Sequence, residues 1–205
     1  KRYAFVLRIN LYNFTMQKKE CRMSEIDPNQ IATQVTTELV KSFFTRLGGG
    51  VSNFFGRKYA YLTENFEEYM STAYLRCSRV RTIINKEQSY PVESLYVPSS
   101  FTCSGDFYSD EQIIREVREL KPIVILGFGG IGKTVFAKHL WISIFKEPMG
   151  KIPVFLELRN LNHLTDVDII TYVRSIISPK SSPIDADIFN QFLRDGRFIF
   201  IYDGY

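Results

Sequence analysis

From Ile123 to about Phe145 the chain runs through three different patterns. Four aliphatic residues, Ile123-Val124-Ile125-Leu126, lead into Gly127-Phe128-Gly129-Gly130-Ile131-Gly132-Lys133-Thr134, and a stretch opening at Val135 follows that is apolar on most sides. No other segment narrows the choice of fold so far. The apolar run has the length of a strand and reads as one covered on both faces. The glycines allow backbone conformations closed to residues with a Cβ, so successive N–H groups can turn inward around an anion. A helix from Val135 to about Phe145 adds its positive end at the same place.

The spacing Gly-x4-Gly-Lys-Thr suits a triphosphate. Gly127, Phe128, Gly129, Gly130, Ile131, Gly132 and Val135 supply the loop and the helix start, Lys133 reaches the β- and γ-phosphates, and the Thr134 hydroxyl binds Mg²⁺. A random chain of this size would match the pattern roughly once in a hundred times. Here the match also follows a strand and opens a helix. Such a site needs a carboxylate on the far side of the metal, at the end of another buried strand. Asp203, 70 residues after Lys133, ends the apolar run Phe198–Tyr202 and takes that role. Lys133 and Asp203 are thus the candidate catalytic pair, and Thr134 and Asp203 the candidate metal ligands.

The flanking segments support an α/β domain from about residue 90 to 205. Ser109 and Gln112 have the spacing of a capping box, ahead of a helix with Ile113, Ile114, Val117 and Leu120 inside and Pro122 at its end. A second strand is expected at Val154–Leu158. Thr165 with Asp168 should cap a helix bearing Ile169, Ile170, Val173 and Ile176. Ser182, Pro183 and Asp185 should start another, carrying Phe189, Phe192 and Leu193 and closed by Gly196. Strand-helix-strand-helix-strand order implies a parallel sheet with right-handed crossovers.

Upstream, residues 23–89 read as a small helical region. Ile31, Val35, Leu39 and Phe43 repeat every four residues up to Gly48-Gly49-Gly50, and Phe66, Met70, Ala73, Cys77, Val80 and Ile84 form a one-sided seam. Either a structural bundle or an effector or oligomerisation module would show this pattern. Tyr90–Gly105 reads as a linker, with Leu95-Tyr96-Val97-Pro98 a short extended piece. Arg76, Arg79, Arg81 and Lys86 form a basic cluster expected on a solvated face. His139 and His163 have no partner set for a triad or a metal, so both are expected to be structural.

Composition excludes several classes. Of 26 Lys/Arg and 22 Asp/Glu, residues 1–22 hold six and one, leaving 20 and 21 for the other 183 residues. The basic excess lies in that first segment, so the body carries no electrostatic footprint for nucleic acid. Residues 1–22 read as extra sequence ahead of a natural start at Met23, or as the tail of an upstream domain. No apolar run nears the roughly 18 residues of a membrane helix. Cys21, Cys77 and Cys103 match no metal or redox spacing, which favours a reducing, cytoplasmic setting.

With these motifs placed, the chain resembles the NACHT branch of the STAND signalling NTPases, especially bacterial members implicated in antiphage defence. The resemblance rests on Gly127–Thr134, on the Pro153–Asn160 segment with Leu158-Arg159, on Arg197–Gly204 and on Leu95–Pro98, and covers about Tyr90 to Tyr205. Asp203-Gly204 is similar to NACHT, where the related NB-ARC branch has a second acid. Tyr205 departs from the aliphatic residue commoner there. The resemblance implies a P-loop NTPase fold that stops at the Walker B acid, lacking the strand between the P-loop and Walker B strands. It also implies an ATP/ADP- and Mg²⁺-dependent switch that oligomerises on an unidentified trigger, for example a phage component, and hydrolyses ATP slowly. No guanine-reading motif is present, so ATP over GTP is implied by the family alone. An AAA-type remodelling or nucleic-acid-associated ATPase, or a small-molecule kinase, are the competing readings.

Overall fold

The computed structural model describes residues 5–10, 38–47, 56–81, 88–163, 168–178 and 183–204. It is a mixed α/β structure. In chain order the elements are β1 (Phe5–Asn10), α1 (residues 38–47), α2 (Gly56–Cys77), β2 (Arg79–Arg81), β3 (Ser89–Pro91), α3 (Val92–Leu95), β4 (Ser100–Cys103), β5 (Asp106–Ser109), α4 (Asp110–Arg118), β6 (Ile123–Leu126), α5 (Lys133–Lys146), β7 (Ile152–Glu157), a 3₁₀ segment (Leu158–His163), α6 (Ile169–Ile177), α7 (Ala186–Arg194) and β8 (Phe198–Asp203).

The strands form three sheets. β5-β4-β1-β6 is a mixed sheet, in which β1 runs antiparallel to β4 and parallel to β6, with Phe5 opposite Ile123 and Arg8 opposite Leu126. β7 and β8 form a separate parallel pair from Ile152↔Phe198 to Glu157↔Asp203, and β2 and β3 an antiparallel hairpin. The expected parallel order therefore appears as two parallel pairs in different sheets, and β6 shares no ladder with β7 or β8 among the described residues. Phe5–Asn10, in the segment ahead of Met23, is rich in strand formers and lies next to β6.

One apolar core joins the helical region to the β7–β8 pair. α5 supplies Phe136, Leu140, Trp141, Ile144 and Phe145, all buried, as its all-round apolar sequence implies. Phe43 of α1 stacks on Phe145, and Phe66 of α2 stacks on Phe198 of β8. Phe66, Met70, Ala73 and Cys77 of the expected seam are all buried. Tyr69 adds a polar lock: its hydroxyl accepts from the Phe155 N–H at 2.9 Å and donates to the Pro153 carbonyl at 3.4 Å, which also accepts from Trp141 Nε1 at 3.1 Å. Tyr69→Phe would leave a buried strand N–H without an acceptor, which costs about 1–3 kcal/mol. Urea denaturation should show this loss, and an unchanged midpoint would mean the lock contributes nothing.

Several boundaries differ from those expected. The α2 seam stops at Cys77, because Arg79-Val80-Arg81 is extended and pairs with β3; Ile84 lies outside the described residues. β-branched Val80 suits a strand better than a helix end. Tyr90–Gly105 is not a linker but contains the end of β3, all of α3 and β4. The Ser109–Gln112 capping box is present, but α4 ends at Arg118, and Leu120 is exposed at φ +59° beyond it. The Leu120 N–H donates to Val117 and the Lys121 N–H to Glu116, a C-terminal cap that usually takes glycine at this position. Gly196, at φ +60°, closes α7 in the same way.

The later caps are one turn off. Asp168, accepting from Thr171 N, caps α6, and Asp185, accepting from Asp187 N and Ile188 N, caps α7. Thr165 and Ser182 lie outside the described residues. Ile169 and Ile170 are exposed, whereas Val173 is buried and Ile176 partly buried as expected, with Ile177 completing the inner face. β6 is also not covered on both faces: Val124 and Leu126 are 44% and 47% exposed, while Ile123 and Ile125 are half-buried. No helix among the described residues is long and apolar enough to cross a membrane.

Candidate functional site

The loop from Gly127 to Gly132 connects the C-terminal end of β6 to the start of α5. Gly130 and Gly132 sit at φ +80° and +99°, in the left-handed region that a side chain disfavours. Gly129 has no such φ, and a Cβ built on it would meet no protein atom within 4 Å. Nothing in the fold itself requires glycine at that position, whereas a group lying close against the loop would. Phe128 is 86% exposed at the outer edge, and Ile131 and Val135 are half-buried.

α5 begins at Lys133 with Gly132 as its N-cap, and no side chain caps the helix. Its first intrahelical bond is Phe136 N to Gly132 O at 2.9 Å. The backbone donors of the first turn therefore remain for an external acceptor. Lys133 Nζ donates to the Gly127 and Phe128 carbonyls at 2.7 and 2.8 Å, so the ammonium lies over the loop. Thr134 Oγ1 donates to Asp203 Oδ1 at 3.0 Å, across 69 residues of sequence. The loop, Lys133, Thr134 and Asp203 are thus brought together, even though β6 and β8 belong to different sheets.

Beside them is a charge cluster whose acid, Glu157, was given no role by sequence reasoning, which took Arg159 as structural or as a phosphate-region contact. Glu157 ends β7 directly opposite Asp203. Its carboxylate accepts from Arg76 Nη2 of α2 at 2.5 Å and from Arg159 Nε at 2.9 Å. Burial pushes the Glu157 carboxyl up, but the bonds from Arg159 and Arg76 outweigh it and hold the group below its ordinary value. Arg76 also lies over the Phe155 ring, 5.4 Å from its centroid, while Arg76, Arg79 and Arg81 all stay exposed, as expected of the basic run. Arg79 sits in β2, bonded to the Ser89 carbonyl, and Lys86 lies outside the described residues. The available signal for Glu157 was its position: like Asp203, it is the first acid after an apolar strand.

His139 packs flat on Tyr96, with ring centroids 3.7 Å apart, and Tyr96 donates to Asp110 Oδ2 at 2.8 Å. This stack ties the segment after α3 to α5. Desolvation pulls the imidazole below its ordinary value. His163 ends the 3₁₀ segment; its side chain is outside the described residues. No group of three or more His, Cys, Asp or Glu able to hold a metal occurs among the described residues. Mg²⁺ bound together with phosphates uses only one or two protein oxygens, which Thr134 and Asp203 could supply.

No protein family, curated protein or solved structure matches the chain.

Proposed function

We propose that this chain binds a Mg²⁺–nucleoside triphosphate at the start of α5, and that the bound nucleotide sets a signalling switch of the NACHT type. The observation that carries the reading is the 3.0 Å bond between Thr134 Oγ1 and Asp203 Oδ1 beside Lys133 and a glycine loop with left-handed backbone. Two hard oxygens from distant parts of the chain meet where an uncapped helix start and an ammonium gather positive charge. That donor set fits Mg²⁺ and phosphate oxygens, and it fits no soft-metal chemistry. Open space over Gly129 is what the close approach of a phosphate needs.

In this reading the loop N–H groups and Lys133 hold the phosphates, Thr134 and Asp203 hold the metal, and Phe128 lines the outer edge. Held by Thr134 and Asp203, Mg²⁺ would supply neutralisation of the phosphate charge. ATP and ADP are the proposed ligands, on the resemblance and not on any base contact. Driving a switch from 1:99 to 99:1 takes about 5.5 kcal/mol of differential affinity, within reach of contacts to one phosphate and its metal. Self-association on activation, slow hydrolysis, a cytoplasmic site of action and a role in antiviral defence are parts of the same proposal.

Calorimetry of ATP binding with and without Mg²⁺ tests it. Wild-type protein should bind more tightly with Mg²⁺, and Asp203→Asn should remove most of that gain, about tenfold or more, because a neutral amide is a poor Mg²⁺ ligand. An Asp203→Asn protein with undiminished Mg²⁺ enhancement would eliminate the assigned metal role.

A further inference from the structure

The Glu157 cluster has no role in the nucleotide grip described above, yet it lies at the same strand ends. In a parallel ladder, paired residues project from the same face, so Glu157 and Asp203 present two neighbouring carboxylates there. Asp203 is engaged by Thr134. Glu157 is engaged by two arginines that are held very differently. Arg76 belongs to α2 and rests on the Phe155 ring. Arg159 lies just past the strand, with a side chain 73% exposed, and uses Nε alone for its contact. Its terminal guanidinium nitrogens have no other partner among the described residues.

We propose that Arg159 reads the length of the phosphate chain, exchanging the Glu157 carboxylate for the terminal phosphate of a bound nucleoside triphosphate. The exchange is chemically matched, because carboxylate and phosphate oxygens are alternative partners for one guanidinium. It is also local, since Arg159 already lies within electrostatic range of Asp203. Glu157 keeps its bond to Arg76 when Arg159 leaves, so the carboxylate is not stranded and the exchange stays reversible. A diphosphate presents no terminal group at this position, and Arg159 then stays on Glu157. The inference rests on the nucleotide reading above and adds to it the residue that separates triphosphate from diphosphate.

The test measures Mg–AMP-PNP and Mg–ADP affinities of the full chain by displacement of a fluorescent nucleotide. Arg159→Ala should lower the triphosphate-to-diphosphate affinity ratio about tenfold, the loss of one charge-assisted contact. Glu157→Gln should move the ratio the other way, because it weakens the competing anion that holds Arg159. Opposite signs are the signature, since a shared structural role would shift both variants alike. An unchanged ratio in Arg159→Ala, or a fall in both variants, would overturn the inference and leave the P-loop reading standing. Failure of wild-type protein to bind either nucleotide would overturn both.

Discussion

Lys133→Ala is expected to weaken Mg–ATP and Mg–ADP binding about a hundredfold or more, because an ammonium in contact with two phosphates makes two charge-assisted bonds. The fold should barely notice. Lys133 Nζ contacts only the Gly127 and Phe128 carbonyls, both at an exposed loop. Melting temperature without nucleotide should therefore stay near that of the wild type, while the stabilisation conferred by added Mg–nucleotide disappears. This pairing separates a binding defect from a folding defect. An alanine variant that keeps wild-type affinity would show that the loop is not a phosphate site. In the signalling proposal the same variant cannot switch, so loss of binding and loss of signalling must go together.

The largest loss of stability should come from Phe198→Ala, by about 3–5 kcal/mol. Phe198 is the first residue of β8 and is 5% exposed. Rings of Phe66, Phe189, Phe192 and Phe200 all lie around it, with centroids 5.5 to 6.4 Å away. These rings come from α2, α7 and β8 itself, so truncation opens a cavity where three elements meet. The site is affected too, because β8 carries Asp203 at its other end. Chemical denaturation should show the loss of stability, with Phe198→Leu recovering more than half of it by refilling most of the volume. A Phe198→Ala variant as stable as the wild type would mean that this aromatic cluster does not anchor β8.

Much of the α/β half could be read from local patterns. The Ser109–Gln112 box appears as expected, because a capping box is settled within one turn of chain. β8 and the burial of α5 also follow from runs so apolar that few alternatives exist. Errors gathered where local signals were nearly balanced. Thr165, Asp168, Ser182 and Asp185 are all plausible caps, and a shift of one turn chose Asp168 and Asp185. Val80 continued a helical spacing, but extended pairing with Tyr90 prevailed. Ile169 and Ile170 were apolar enough for a core face, but of the expected set only Val173 and Ile176 reach the core, joined there by Ile177.

At the site the division is sharper. Gly127 to Thr134 could be recognised unaided, because left-handed backbone at Gly130 and Gly132 and an uncapped helix start are properties of a short contiguous segment. Asp203 could be nominated from its strand, but only chain folding brings it to 3.0 Å from Thr134. The joining of Glu157 with Arg76 and Arg159 could not be read from the sequence. Their meeting depends on the β7–β8 register and on α2 lying across β7, held there by Tyr69 and the Phe66–Phe198 stack. Local chemistry is written in neighbouring residues, whereas an ion pair spanning 81 positions, from Arg76 to Glu157, exists only once packing has chosen which surfaces touch.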